Sequence, residues 1–378
     1  MRIAIATDWF APRRGGIEAQ LTRLSERLGA NGHHVDVLTT TPGAVSGKTY
    51  SVRPLDAFAL PGLHVAVSPR LVTALRGRLR NGYDVVHAHV SVVSPVGYAA
   101  AAVARALDLP TAVTFHSVLR HKRHLLRAAD AVTGLSRSAV EWSAVSDVVA
   151  AQVRDALPAA DVSVLPNGID LGFWRSTSRT SRGPSSAVTL VSATRFARKK
   201  RPLELIRAFA RASASVRRPA TLLLVGDGPL RSTIEREVAL LGLNRGPTRV
   251  EVRDWVTAEA LRALYSEADG FVLPSLRESF GISALEARTA GLPVIAMREA
   301  GSSEFLHHEV NALLCEDDHD LTAALARFIA DGALRTCLAG ATARADRYDW
   351  SSVIALHEAI YARAIARAAG ARRAAAST

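Results

Sequence analysis

Two short stretches of the sequence carry residue types that could hold an anion attached to a sugar. In "TRFARKKRP", residues 194–202, five cations (Arg195, Arg198, Lys199, Lys200 and Arg201) fall in the eight positions from Arg195 to Pro202, after an apolar run and before a helical pattern. Arg195 and Lys200 can both turn inward across a tight loop while Arg198, Lys199 and Arg201 stay solvated. A guanidinium fork beside a point charge suits a pyrophosphate. On these residues alone a solvated turn is the competing reading. The second stretch, "ESFGISALE", residues 278–286, places Glu278 in a loop, Gly281 where backbone must approach closely, and Glu286 about one turn into a helix starting near Ile282. The N–H groups of Phe280, Gly281 and Ile282 then form an anion site at the positive end of the helix dipole. Two flanking carboxylates suit sugar hydroxyls, one for a hexose and one for a ribose, although either could simply cap the helix.

Positioning these groups takes a repeating β-loop-α rhythm. "RIAIAT" reads as a buried strand, followed by Gly15-Gly16 and a helical spacing of Ile17, Leu21, Leu24 and Leu28. "HVDVLTT", "YDVVHAH", "TAVTFH" and "AVTGLS" continue as strands, with a helix over residues 95–107. The rhythm resumes in "AVTLVSA", "ATLLLVG", "RVEVRDW", "GFVLP", "PVIAM" and "NALLC". Such alternation predicts α/β architecture with two doubly wound parallel sheets. A Ser, Thr, Arg, Gly and Pro-rich stretch over residues 174–187 marks the passage between them. The domains are expected at 1–171 and 172–349, with a last helix from Trp350 to about Ala368. Ligands of such sheets bind beyond the carboxyl ends of the strands. There lie Gly16, His116, Arg195, Gly226 and Glu278, which should converge on a cleft between the domains.

Composition narrows the class further. Apolar residues make up 48% and charged ones 22%, which excludes disorder. A net charge of +12 favours an anionic partner: phosphorylated small molecules, nucleic acid or an anionic membrane. Part of that excess is an Arg- and Ala-rich composition, with Lys confined to positions 48, 122, 199 and 200. Cys315 and Cys337 are too few for a disulfide framework, and no run suits a signal peptide or a membrane-spanning helix, so a cytoplasmic location is expected.

Taken together the motifs resemble glycosyltransferase family 4, the retaining nucleotide-sugar enzymes of the GT-B fold. The resemblance rests on the Glu278 to Glu286 spacing, "PRRGGIEAQLTRLSERLGANGHHVDVLTT", "LPNGID", "TRFARKKRP", "VGDGPL" and "AGLPVIA", and it covers nearly the whole chain. It implies two Rossmann-like domains facing across a cleft, with the last helix, residues 350–378, packing back on the first. A GDP- or UDP-linked sugar would be held mainly by the second domain, and a lipid or glycan acceptor mainly by the first. It also implies Arg195 and Lys200 as the pyrophosphate clamp, Glu286 as the ribose ligand, Glu278 and His116 at the transferred sugar, and Gly16 near the phosphates or acceptor. The base would lie near Asp254, Trp255 and Val256. Mannose or glucose is the expected sugar, some relatives being mannosyltransferases that act on phosphatidylinositol. No metal or other cofactor is implied. Two positions depart from the family pattern: Ser279 replaces a frequent Gly, and "AGSSE", residues 300–304, replaces Gly-Gly-x-Pro-Glu.

Other signals compete less well. Asp318 and Asp320 in "EDDHD" have a metal-binding spacing, but carboxylates also favour a helix start. His87 and His89 share a strand face and either line the site or find core partners. Gly226 to Pro229 is not a dinucleotide fingerprint, which argues against a dehydrogenase. The helix over residues 69–82 sets Leu71, Val72, Leu75 and Leu79 beside Arg70, Arg76, Arg78 and Arg80, a basic amphipathic pattern suited to an anionic membrane, or an ordinary core-facing helix. "RHKRHLLR", residues 120–127, adds a second basic patch, while no nucleic-acid-binding module is present. The competing functions are a sugar-nucleotide epimerase on the same fold and a nucleotide-sugar-binding protein without turnover.

Overall fold

The computed structural model of the chain describes residues 1–56, 58–59, 66–67, 70–119, 122–175, 187–216, 218–340 and 345–377. It divides into two compact units, Met1–Gly168 with Tyr348–Thr378, and Ile169–Arg347.

In the first unit the chain runs β1 (Arg2–Thr7), α1 (Gly16–Ala30), β2 (His34–Thr39), β3 (Tyr50–Pro54), β4 (Phe58–Ala59), β5 (Ala66–Val67), α2 (Leu71–Leu79), β6 (Val85–Val90), α3 (Pro95–Ala106), β7 (Thr111–Phe115), α4 (Arg123–Thr133), β8 (Val140–Ala144), α5 (Asp147–Ala156) and β9 (Val162–Val164). Seven strands form a parallel sheet in the order β3-β2-β1-β6-β7-β8-β9, and β4 pairs with β5 in a separate antiparallel ribbon. Alternation along β1 shows how both faces are buried. Ile3 and Ile5 pack into one core with Leu21, Leu24 and Leu28 of α1, whereas Ala4 and Ala6 join Leu71, Leu75 and Leu79 of α2 and Val96 of α3 in another.

In the second unit come α6 (Leu171–Arg175), β10 (Val188–Ala193), α7 (Pro202–Ser215), β11 (Ala220–Val225), α8 (Arg231–Leu240), β12 (Arg249–Arg253), α9 (Ala258–Glu267), β13 (Gly270–Leu273), α10 (Ile282–Thr289), β14 (Val294–Met297), β15 (Ala312–Cys315), α11 (Asp318–Ala330) and α12 (Gly332–Gly340). Its parallel sheet has the order β12-β11-β10-β13-β14-β15. Successive strands therefore run outward one way from β10 and the other way from β13. The carboxyl ends of that neighbouring pair form the topological switch point where open α/β sheets bind ligands. The corresponding point in the first unit lies between β1 and β6.

Helix α13 (Trp350–Ala376) belongs to the first unit. Val353, Ile354, Ile360, Tyr361 and Ala364 enter the α1 core. Arg363 and Arg367 grip the buried carboxylate of Glu141 on β8 at 2.5 and 2.7 Å. The helix outruns the expected end near Ala368 because the Ala- and Arg-rich tail has high helix propensity.

Two local expectations are corrected. "AVTGLS" is not a strand: Ala131 to Thr133 end α4, and Gly134 closes that helix at φ 61° before a 3-10 turn over Leu135–Arg137. The strand is instead Val140–Ala144. A short apolar run has no period long enough to separate the two states, and the glycine acts as a helix C-cap. The expected linker at 174–187 also begins too early, since Trp174 and Arg175 are helical and Trp174 is buried; residues 176–186 lie outside the described residues. So do Pro69, Arg120 and His121 of the two basic patches.

Candidate active site

At the second unit's switch point the basic loop is built by backbone contacts. Phe196, fully buried, donates its N–H to the Asp227 carbonyl (2.8 Å) and accepts from Leu230 N–H (3.0 Å). This crossing requires the two glycines, at φ 152° and 151°. A Cβ on Gly226 would stand 2.0 Å from the Thr194 carbonyl oxygen, and one on Gly228 2.6 Å from that of Phe196. Gly226 thus has a structural reason of its own, the close approach of two loops. Arg198 to Lys200 form a 3-10 turn, and Arg201 takes the left-handed conformation (φ 55°) ahead of Pro202, the first residue of α7. Arg201 is not solvated, contrary to expectation. Its guanidinium donates to the Pro274 carbonyl after β13 (3.1 Å) and to the Asp318 carboxylate, pinning the loop to the neighbouring strand end. Arg195 stays exposed, with no ion-pair partner among the described residues.

Because β10 and β13 are neighbours, the groups that follow them meet. Lys200 Nζ donates to Glu278 Oε2 at 2.5 Å, with side-chain exposures of only 22% and 14%. The loop carrying Glu278 is braced in turn by residues 300–304. A Cβ on Gly301 would come 2.1 Å from the Ser279 carbonyl oxygen, Gly301 N–H donates to Glu278 O at 2.9 Å, and a Cβ on Gly281 (φ 90°) would come 2.9 Å from Ser302 Cβ. The two positions that depart from the family pattern therefore pack on each other. Gly281 caps α10, and its carbonyl accepts from the Ala284 and Leu285 amides, leaving the amides of the preceding turn at the positive end of the helix.

Glu286, on that helix, has its carboxyl pushed up to about 8 by burial, near the fully buried ring of Tyr265, against which Trp174 packs at 5.6 Å. Raised above the ordinary carboxylate value, this group's contribution to stability is full below about 4.5 and is lost as pH climbs through about 8. Glu286→Gln should therefore raise the melting temperature relative to the wild type progressively between pH 5 and pH 9, by thermal denaturation. A pH-independent difference would mean that the carboxyl is not desolvated.

The remaining candidate residues of this unit spread along the same sheet edge. Asp254, Trp255 and Val256 follow β12, with Asp254 paired to Arg231 (2.6 Å) and Trp255 about half exposed. In "EDDHD" Asp317 caps α11 through the His319 and Asp320 amides (2.8 and 2.9 Å), and Asp318 is engaged by Arg201. Asp317, His319 and Asp320 bring ligand atoms within 4.8 Å of one another, but all three are exposed and the cluster is accounted for as a helix start.

In the first unit Gly16 opens α1, with Glu18 of that turn paired to Arg13 (3.1 Å). Sequence reasoning missed Asp8. Buried after β1, it accepts from the Val96 amide (3.1 Å) at the start of α3, and burial pushes its carboxyl up to about 6. An acid directly after a strand at a switch point was the available signal. His116 follows β7 and lies with Nε2 2.9 Å from His89 Nδ1. His87 is a core residue, bonded to Tyr361 Oη (3.0 Å) and Thr114 Oγ1 (2.7 Å). Of the expected α2 stripe, Leu71, Leu75 and Leu79 face the core but Val72 is exposed, as are Arg70, Arg76, Arg78 and Arg80.

Comparison with known proteins agrees with this geometry. Residues 14–173 match the "Glycosyltransferase Family 4" model and residues 187–331 the "Glycosyl transferases group 1" model. A D-inositol 3-phosphate glycosyltransferase of a Nocardioides species is 32% identical over 93% of this chain and 85% of its own. The chain belongs to glycosyltransferase family 4. The homologous enzyme of Xylanimonas cellulosilytica is 29% identical to this glycosyltransferase over 93% of both chains. Among solved structures, sucrose-phosphate synthase from Thermosynechococcus elongatus superposes with a TM-score of 0.76 at 23% identity, over 97% of this chain and 99% of that one. Anabaena HepE, in complex with UDP and glucose, does so at 0.71 and 18%, over 94% and 98%. The glycosyltransferase thus has the two Rossmann-like domains of the GT-B fold. Among the described residues no helix is long and apolar enough to cross a membrane.

Proposed function

We propose that this glycosyltransferase transfers a hexose, with retention, from a nucleotide-diphosphate sugar held by the second unit. The observation that carries the reading is the Lys200–Glu278 pair at the β10/β13 switch point. In a nucleotide sugar the last phosphate is bonded to the anomeric carbon, so its site needs a cation for the phosphate and a carboxylate for the adjoining sugar hydroxyls side by side. Arg195 and the α10 amides add charge for the leaving diphosphate. Glu286 lies one turn farther along the helix, suited to the ribose. The leaving phosphate oxygen takes the acceptor proton as the acceptor attacks from the same face, so no protein base is required. Asp254, Trp255 and Val256 border the base, and His116 contacts a sugar hydroxyl. The names of the relatives favour a phosphorylated cyclitol as acceptor over a plain glycan.

The test is a thermal-shift panel of UDP, GDP and their sugars, followed by transfer assays with and without acceptor and with EDTA. A bound donor at ~100 times its dissociation constant adds ~2.7 kcal/mol. Transfer that needs acceptor and survives EDTA is the expected result. Conversion of donor without acceptor would mark an epimerase, and a metal-dependent rate would return Asp318 and Asp320 to the site.

A membrane location is proposed on narrower grounds. With the α2 stripe in the core, docking would be electrostatic, through Arg70, Arg76, Arg78 and Arg80, at roughly 1 kcal/mol per cation near an anionic surface. Co-sedimentation with anionic vesicles should exceed that with neutral ones, fall with salt, and drop when the four are replaced by Gln. Equal sedimentation with both vesicle types would leave a soluble acceptor.

A further inference from the structure

The nitrogen of His89 that does not face His116 points to an extension of the site. His89 is 2% exposed, and its Nε2 is buried without a protein partner. A buried nitrogen left unpaired is costly, so the atom calls for an explanation. His89 lines a cavity of about 10 Å³ together with Gln20, Thr114, His116, Asn167 and His357, a space that suits one water.

Some of the polar atoms around that cavity already have protein partners. The Gln20 amide bonds both backbone groups of Gly168 (2.8 and 3.0 Å), and Thr114 Oγ1 bonds His87 and Ser143 (both 2.7 Å). His357 Nδ1 lies 2.8 Å from the Val353 carbonyl, which can only accept, so Nδ1 carries the hydrogen. Burial holds His357 down to about 4, His116 down to about 3 and His89 well below the ordinary value, so all three rings are neutral at pH 7. Neutral His357 then presents Nε2 as an acceptor.

We propose that one ordered water donates a hydrogen each to His357 Nε2 and His89 Nε2, and so sets the tautomer of His116. With Nε2 accepting, His89 carries its hydrogen on Nδ1 and donates across the 2.9 Å contact to His116 Nε2. His116 in turn must carry its hydrogen on Nδ1, ready to donate to a sugar hydroxyl. The order runs Val353 carbonyl, His357, water, His89, His116, sugar. It makes His89 and His357 positioning residues and gives α13 a part in the site. Its consequence for catalysis rests on the proposed contact between His116 and sugar, whereas the tautomer does not.

Two measurements test this. In the histidine-labelled wild-type protein, long-range nitrogen-proton NMR should find His116 with a protonated Nδ1 and bare Nε2, and His357→Ala should erode that preference. His89→Leu should lower kcat on the order of tenfold to a hundredfold with donor KM little changed, and His89→Asn, whose amide can replace the Nδ1 donor, should recover most of the loss. An Nε2-protonated His116 in the wild type overturns the relay whatever the rates, as does equal loss in the Leu and Asn variants. An Nδ1-protonated His116 whose His116→Ala variant transfers at the wild-type rate upholds the tautomer and overturns the sugar contact.

Discussion

Lys200→Ala should weaken nucleoside-diphosphate binding about 10- to 100-fold, as expected for loss of a charge-assisted hydrogen bond of ~1.5–3 kcal/mol, and lower kcat a further 10²–10³-fold. Two effects combine. The ammonium no longer faces the leaving diphosphate, and Glu278, only 14% exposed, is left as an unpaired carboxylate beside the incoming phosphate. The second effect is separable. Glu278→Gln in the Lys200→Ala background removes that repulsion, so the double variant should bind bare nucleotide more tightly than Lys200→Ala alone, although it will not transfer. Arg195→Ala should cost less in binding than Lys200→Ala, because Arg195 is exposed and its loss strands no partner. Isothermal titration of the wild type, Lys200→Ala, Glu278→Gln and the double variant with UDP and GDP checks the cycle. Strictly additive losses would mean that the 2.5 Å pair is not felt by the ligand.

How far the site was legible in the sequence follows from which forces act locally. The strand ends were readable because apolar runs alternate with helical spacing, and β10 to β15 lie within one or two residues of the runs "AVTLVSA" to "NALLC". Pro202 and Gly281 gave the starts of α7 and α10 through their backbone chemistry. Tertiary neighbours were not readable. That Lys200 touches Glu278, 78 residues away, depends on β10 lying beside β13, and the same adjacency takes Arg201 out of solvent. Gly226 looked like a place for a ligand to approach, but it is a place where another stretch of backbone approaches, a distinction that only the fold can make. His87 and His89 share a strand, yet one is fully satisfied in the core and the other bonds His116, because different elements cover each ring.

The two carboxylates of the second unit should separate by role. Glu278→Gln frees Lys200 from its ion pair, so affinity for bare UDP or GDP should hold or improve, while transfer should fall on the order of 10²–10³-fold because the sugar loses an oriented acceptor in the transition state. Glu286→Gln should act the other way, chiefly weakening nucleotide, since the ribose hydroxyls belong to product as well as donor. The high value of the Glu286 carboxyl, about 8, adds a pH signature. Ribose hydroxyls donating to a carboxylate favour its ionised form, so wild-type nucleotide affinity should rise with pH from 6.5 to 9 and level off beyond, and the rise should vanish in Glu286→Gln. Binding titrations across that range for the wild type and both variants decide it. If Glu278→Gln abolishes binding of bare nucleotide, or if the pH dependence persists without the Glu286 carboxyl, the ribose and hexose assignments are reversed or the nucleotide sits elsewhere on the sheet edge.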